Sequence, residues 1–177
     1  MRFEISLPDP SLVVLVGAAG SGKSTFAARW FEADEILSSD AFRAQFGRGE
    51  DDQRASGRAF AALAAALAGR LGHGLTTVVD ATNIDGQTRR RLVRTSAVAG
   101  IPAIAIVLDM DLETCLAGDL ARSGRHVGRA VVVRQWTRLR VELDRSAGLA
   151  TEGFAAVHRL TDRPSVERTI VRRLARG

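Results

Sequence analysis

The run Gly17-Ala18-Ala19-Gly20-Ser21-Gly22-Lys23-Ser24 fits the pattern G-x-x-x-x-G-K-[ST], and it constrains this chain more than any other segment. Its surroundings match what the pattern requires. An apolar run ending in glycine, residues 11–17 (SLVVLVG), precedes it, and residues 23–31 read as a helix. Such an uninterrupted apolar run reads as a strand buried on both faces of a parallel sheet. The glycines allow backbone N–H groups to turn inward around a β-phosphate, and the helix that follows adds the positive end of its dipole. Gly17, Ala18, Ala19, Gly20, Ser21, Gly22, Lys23, Ser24 and Thr25 are therefore expected to hold ATP. Lys23 would reach the β- and γ-phosphates, and Ser24 would give its hydroxyl to Mg²⁺. The bland alternative is a chance glycine-rich turn, which needs neither the strand before it nor the helix after it.

Beyond this loop, strand-like and helix-like segments alternate. Residues 35–38 (EILS), 75–80 (LTTVVD), 103–108 (AIAIVL) and 154–158 read as further strands. Residues 55–71 place Phe60, Leu63, Leu67 and Leu71 on one helical face. Residues 86–99 read as a helix whose outer face carries Arg89, Arg90, Arg91 and Arg94. Residues 112–121 and 131–143 read as helices, the second with Val132, Trp136, Leu139 and Leu143 on one stripe, and residues 165–174 as a closing helix. This alternation predicts an α/β P-loop phosphotransferase fold: a central parallel sheet of about five strands, helices on both faces, and a basic lid. A chain of 177 residues suits one domain spanning 1–177.

Composition narrows the setting. No apolar run approaches the roughly 20 residues of a membrane span, so no membrane partner is expected. The first ten residues carry Glu4 and Asp9 and do not read as a secretory signal. Cys115 is the only cysteine, which precludes an internal disulfide and fits a cytoplasmic location; it reads as an ordinary buried residue on a helix face. The net charge of +5 favours polyanionic partners. Of the 25 Lys and Arg residues only Lys23 is a lysine, so whatever favours arginine elsewhere did not act where a compact ammonium is needed. His73, His126 and His158 read as bystanders.

A phosphate loop by itself does not separate kinases from GTPases, motors or transporters. The chain has no N-K-x-D guanine signature, and it is short for an AAA or ABC module with its extra motor elements. A small kinase remains, and it should offer a base, a clamp for the acceptor and a lid. The second strand ends in Ser38-Ser39-Asp40, where strand ends of a parallel sheet face the ligand crevice. Asp40 is either the base for a hydroxyl acceptor or a helix N-cap. Arg43 is either a clamp for an acceptor phosphate or a solvated charge. Asp80, after the third strand, either orients Mg²⁺ through water or makes a turn. Arg122, Arg125 and Arg129, in residues 122–129, either close over ATP and meet the transferring phosphate or form a solvated basic loop.

The GAAGSGKSTFA loop, the SSD-x-x-R step, the DDQ at residues 51–53, the VVDATN strand end and the basic lid together resemble the kinase domain of bacterial polynucleotide kinase-phosphatase, in register from about residue 12 to about residue 160. Phage polynucleotide kinase shares much of this set. The resemblance implies ATP-dependent phosphorylation of 5′-OH ends of RNA or DNA in nucleic-acid repair. It implies Asp40 as base, Arg43 on the phosphate 3′ to the acceptor nucleoside, Lys23 and Ser24 as catalytic lysine and metal ligand, and Arg122 and Arg125 as lid arginines. One departure is Gly118, where the family carries another lid arginine. A second is extent: the chain stops where that family's phosphatase would begin, so it either stands alone or is a module beside phosphatase or ligase partners. Two other readings stay open, a small-molecule kinase acting on a sugar, antibiotic or nucleoside, and a non-catalytic ATP-binding module.

Overall fold

The protein is described by a computed structural model covering residues 3–46, 53–122, 126–144 and 148–175. Two strands open the chain, β1 (Phe3–Asp9) and β2 (Leu12–Val16), and β2 leads into helix α1 (Lys23–Trp30). Then follow β3 (Ile36–Ser38), α2 (Ser39–Phe46), α3 (Gln53–Gly72), β4 (Thr77–Asp80), α4 (Gly86–Val98) and β5 (Ala103–Leu108). The remainder is α5 (Leu112–Leu120), α6 (Arg129–Leu143), β6 (Ala156–Leu160), α7 (Arg163–Arg168) and β7 (Thr169–Ala175).

Five strands form one parallel sheet in the order β3-β4-β2-β5-β6. Every residue of β2, β4 and β5 is buried, as uninterrupted apolar runs require when helices cover both faces. One apolar cluster, with Phe26, Ile106 and Val132, lies on one face; a second, with Leu63, Leu67 and Leu139, lies on the other. The parallel arrangement brings the C-terminal ends of β2, β3, β4 and β5 to one edge, where the phosphate loop, Asp40 and Asp80 emerge.

The ends of the chain differ from the sequence expectation. Residues 165–174 do not continue as a helix. Asp162 caps the short α7 by accepting from Ser165 N–H at 2.6 Å, and the β-branched Thr169, Ile170 and Val171 then begin β7. Strand β7 pairs in parallel with β1, forming a separate two-stranded sheet. Strand β1 was not among the strands expected, although Ile5 and Leu7 alternate in its sequence: they point inward while their neighbours stay more exposed. The fifth core strand lies two residues later than expected, at Ala156–Leu160. Phe60 is also corrected. It lies 50% exposed beside Arg43, whose guanidinium sits 5.6 Å from the ring centroid, while Leu63, Leu67 and Leu71 enter the core.

The largest correction concerns Arg89, expected on the outer face of α4 and found fully buried. Its guanidinium donates to Glu152 through Nε (2.7 Å) and Nη2 (2.6 Å) and to Glu142 (3.1 Å). Nη1 donates to the carbonyls of Asn83 and Ile84. Burial alone would lower the arginine pKa, but the Glu152 and Glu142 carboxylates outweigh it and raise it. Arg89 thus ties the turn after β4 to the C-terminal part of α6 and to the segment after it. Removing one partner of a buried pair leaves uncompensated charge and costs about 3–5 kcal/mol. Arg89→Ala should lower unfolding free energy by that order in chemical denaturation, and Arg89→Ala with Glu152→Ala should lose less than the sum of the single changes.

Candidate active site

Helices α4, α5 and α7 are each capped by an aspartate side chain: Asp85, Asp111 and Asp162. Helix α1 begins differently. Its cap residue is Gly22 at φ 95, in the left-handed region, and no side chain caps it. The first N–H groups of a helix have no partner within it, so the start of α1 stays open to an anion.

The loop before it is held from outside. Gly17 N–H donates to Thr82 O at 3.0 Å, and Asn83 Nδ2 donates to Leu15 O at 2.7 Å, so the turn after β4 braces the end of β2. On the other side α5 comes against the loop. A Cβ on Gly20 would overlap the Cys115 carbonyl, and a Cβ on Gly118 would overlap the Gly20 carbonyl. Gly20 also holds φ 77, a backbone conformation that glycine adopts at little cost. Gly118 therefore has a steric reason here, since any side chain at that position pushes into the phosphate loop. Cys115, fully buried, has its thiol pushed up to about 11 by desolvation, which keeps it protonated near neutrality.

Lys23 is 5% exposed and folds back over the loop, donating to Ala18 O at 2.7 Å and Ser21 Oγ at 3.3 Å. Desolvation lowers its pKa to about 8, partly offset by the Asp80 charge and reinforced by Arg122. Asp80 ends β4 in register with Ser38, is 7% exposed, and its carboxylate makes no hydrogen bond among the described residues. Asp40 lies in the first turn of α2, one residue past Ser39, so it is not the N-cap; Ser38 Oγ accepts from Ala41 N–H at 3.4 Å. Its carboxylate is well exposed and meets Arg43 Nη1 at 3.2 Å and Arg122 Nη1 at 3.9 Å.

These residues converge. An outer cleft of about 890 Å³ runs past Ser24, Thr25, Asp40, Asp80 and Arg122. A small inner cavity of about 80 Å³ is lined by Ala19, Lys23, Ser24, Asp40, Arg43, Asp80 and Arg122, together with Gln135. Arg129 falls elsewhere: it opens α6, exposed, and lines neither cavity. Arg125 lies outside the described residues, as do Asp51 and Asp52. Ser24 and the buried Asp80, whose carboxylate accepts no hydrogen bond among the described residues, suit a divalent ion held mainly by substrate phosphates and water. No group of three or more His, Cys, Asp or Glu side chains offers a protein-only metal cage among the described residues.

Sequence reasoning missed three residues here. Asp119, 2% exposed, accepts from Val127 N–H (3.2 Å) and Gly128 N–H (3.1 Å), while its carbonyl oxygen lies 2.6 Å from His126 Nδ1. It fixes residues 126–128, which lead into α6. Asn83, at φ 46, forms the brace already described; the VVDATN motif contains it, but nothing local shows its partner. Gln135 Oε1 accepts from Ala19 N–H at 2.9 Å, across 116 residues of sequence.

Residues 12–145, well over half of the chain, match the family described as "AAA domain". The chain belongs to that AAA-domain family. The match names the family and does not bear on the extra motor elements of an AAA or ABC module, for which the chain was judged short above. The sheet order and loop are those of a P-loop kinase fold, and the family member described here is a P-loop kinase-like domain. A chain of the Pnkp1/Rnl/Hen1 RNA repair complex superposes with TM-score 0.64 at 25% identity, over 75% of this chain and 44% of that one. The chain therefore spans less than half the length of that relative. A sugar kinase from Janibacter sp. HTCC2649 (TM-score 0.61, 21% identity, 90% and 91% covered) and a gluconokinase from Sinorhizobium meliloti 1021 (0.54, 17%, 91% and 90%) share the fold. Comparison with curated proteins gave no match. Among the described residues no helix is long and apolar enough to cross a membrane.

The Lys23 environment gives a signed pH prediction. Below about pH 8 the lysine is charged with or without nucleotide. Bound phosphates raise its pKa, so above about pH 8 binding must take up a proton and affinity must fall as pH rises. Calorimetry of ATP binding near pH 8.5 (about half a unit above the shifted pKa), in buffers of different ionisation enthalpy, should show this uptake in the native protein. Lys23→Met should abolish it.

Proposed function

We propose that this domain is an ATP-dependent polynucleotide 5′-hydroxyl kinase, one kinase domain spanning 1–177, that moves the γ-phosphoryl group of ATP to 5′-OH ends of RNA or DNA. The observation that carries this reading is the inner cavity, where Lys23 and Ser24 of the cradle meet Asp40, Arg43 and Arg122. A neutral acceptor needs no arginine beside the base; an acceptor with a phosphate on its 3′ side does. The RNA-repair likeness supports the same reading, whereas the sugar-kinase likenesses support the fold alone.

In this mechanism Asp40 accepts the proton of the 5′-hydroxyl as its oxygen attacks the γ-phosphorus, and the bond to the β-phosphate breaks in line with ADP as leaving group. Arg43 holds the phosphate 3′ to the acceptor nucleoside. Lys23 and Arg122 lie where charge spreads over the transferring group, and Arg122 releases its long contact with Asp40 to do so. Mg²⁺, held by Ser24 and through water by Asp80, would neutralise the phosphates. The proposed roles of Arg125 and Arg129 are to add positive charge along the lid.

A small-molecule kinase is the competing reading, and acceptor choice separates the two. Transfer from γ-labelled ATP should favour 5′-OH oligonucleotides and 3′-phosphorylated nucleosides over free nucleosides, and gluconate should remain unlabelled. Equal labelling of a free nucleoside, or labelling of a sugar instead, would reject the polynucleotide assignment. Asp40→Asn should cut transfer by roughly 10²–10⁴-fold with ATP affinity near normal; undiminished transfer would remove Asp40 from the role of base.

A further inference from the structure

Helix α6 reaches the phosphate loop through neighbouring residues. Trp136 Nε1 donates to Met110 O at 3.0 Å, beyond the end of β5, and Arg140 lies over the indole 5.1 Å from its centroid. These contacts fix the rotation of α6 about its axis. With the helix so placed, Gln135 Oε1 accepts the Ala19 N–H at 2.9 Å, and Gln135 lines the inner cavity with Lys23, Asp40 and Arg122. A carboxamide carries one acceptor oxygen and two N–H donors. The oxygen is engaged with the loop, and the two donors make no hydrogen bond among the described residues.

A tie between α6 and the loop would need only that oxygen. The free amide group adds something else: a neutral donor at the wall of the small cavity that, on the reading proposed above, receives the transferring phosphoryl group. From this geometry we infer that Gln135 is a catalytic residue that reads the terminal phosphate. Its Oε1 keeps Ala19 N–H while its Nε2 donates to a γ-phosphoryl oxygen, so the preference for a triphosphate over a diphosphate runs partly through α6. Gln135 belongs to none of the sequence motifs, and nothing in its local pattern marks it. Being uncharged, it directs the phosphoryl group without competing with Lys23 or Arg122 for the role of counter-charge.

The test is calorimetric binding of ATP and ADP, without acceptor, to the native protein, Gln135→Glu and Gln135→Met, with thermal melting of each. Gln135→Glu keeps an oxygen for Ala19 N–H and replaces the donor by an anion. It should weaken ATP at least tenfold and ADP less than twofold. Gln135→Met keeps the side-chain length and loses both functions; it should reduce the ratio of ATP to ADP affinity severalfold without repulsion, and it serves should the glutamate variant not fold. Equal weakening of ATP and ADP would reduce Gln135 to a structural tie, and no change in either would remove it from the site. Failure of the native protein to bind either nucleotide would overturn the nucleotide-site reading and this inference together. Because no acceptor is present, the result stands apart from whether a 5′-OH end is the substrate.

Discussion

The cradle works only if something other than its own hydrogen bonds holds it open. Backbone N–H groups must be left for phosphate, yet buried unpaired N–H groups are costly, so a loop of this kind has to be braced from outside. Besides the Gln135 tie to Ala19 N–H, two braces do this here. The turn after β4 holds one side through Thr82 and Asn83. Helix α5 holds the other, where Gly20 and Gly118 approach too closely for any side chain. Asp119, next to Gly118, clasps the start of α6. One turn of α5 therefore sets both the shape of the phosphate loop and the start of α6.

This coupling changes the meaning of Gly118. Read in sequence, it is the place of a lid arginine that the resembled family carries. In the structure it is the residue that lets α5 close on the loop, and the positive charge facing Asp40 comes from Arg43 and from Arg122, two residues past the end of the same helix. The crevice then holds two aspartates in different surroundings. Asp80 is buried behind Lys23, where it suits holding charge in place, and Asp40 is exposed between two guanidinium groups, where an incoming hydroxyl can reach it.

Local signals carried the core of the fold. The glycine loop, the apolar runs of β2, β4 and β5, and the strand ends at Asp40 and Asp80 all depend on residues within a few positions of one another. What stayed hidden depends on distant partners. Arg89 looks like any arginine of a solvated helix until Glu152, 63 residues on, is placed beside it. The β7 segment reads as a helix until β1 supplies an edge to pair with. Gln135 is an unremarked polar residue until α6 is docked against Ala19. Phe60 kept its helical period but not its burial, because Arg43 packs on its ring and the helix turns it toward solvent.

The most direct test is a crystal structure of the chain with Mg²⁺ and a non-hydrolysable ATP analogue. The γ-phosphate should occupy the inner cavity between Lys23 and Arg122, with the Asp40 carboxylate facing it so that an intervening hydroxyl would lie at about 2.6–3.2 Å, hydrogen-bond distance, from the carboxylate. A γ-phosphate bound out in the larger cleft, with Asp40 turned to bulk solvent, would contradict the assignment of this crevice as a phosphoryl-transfer site.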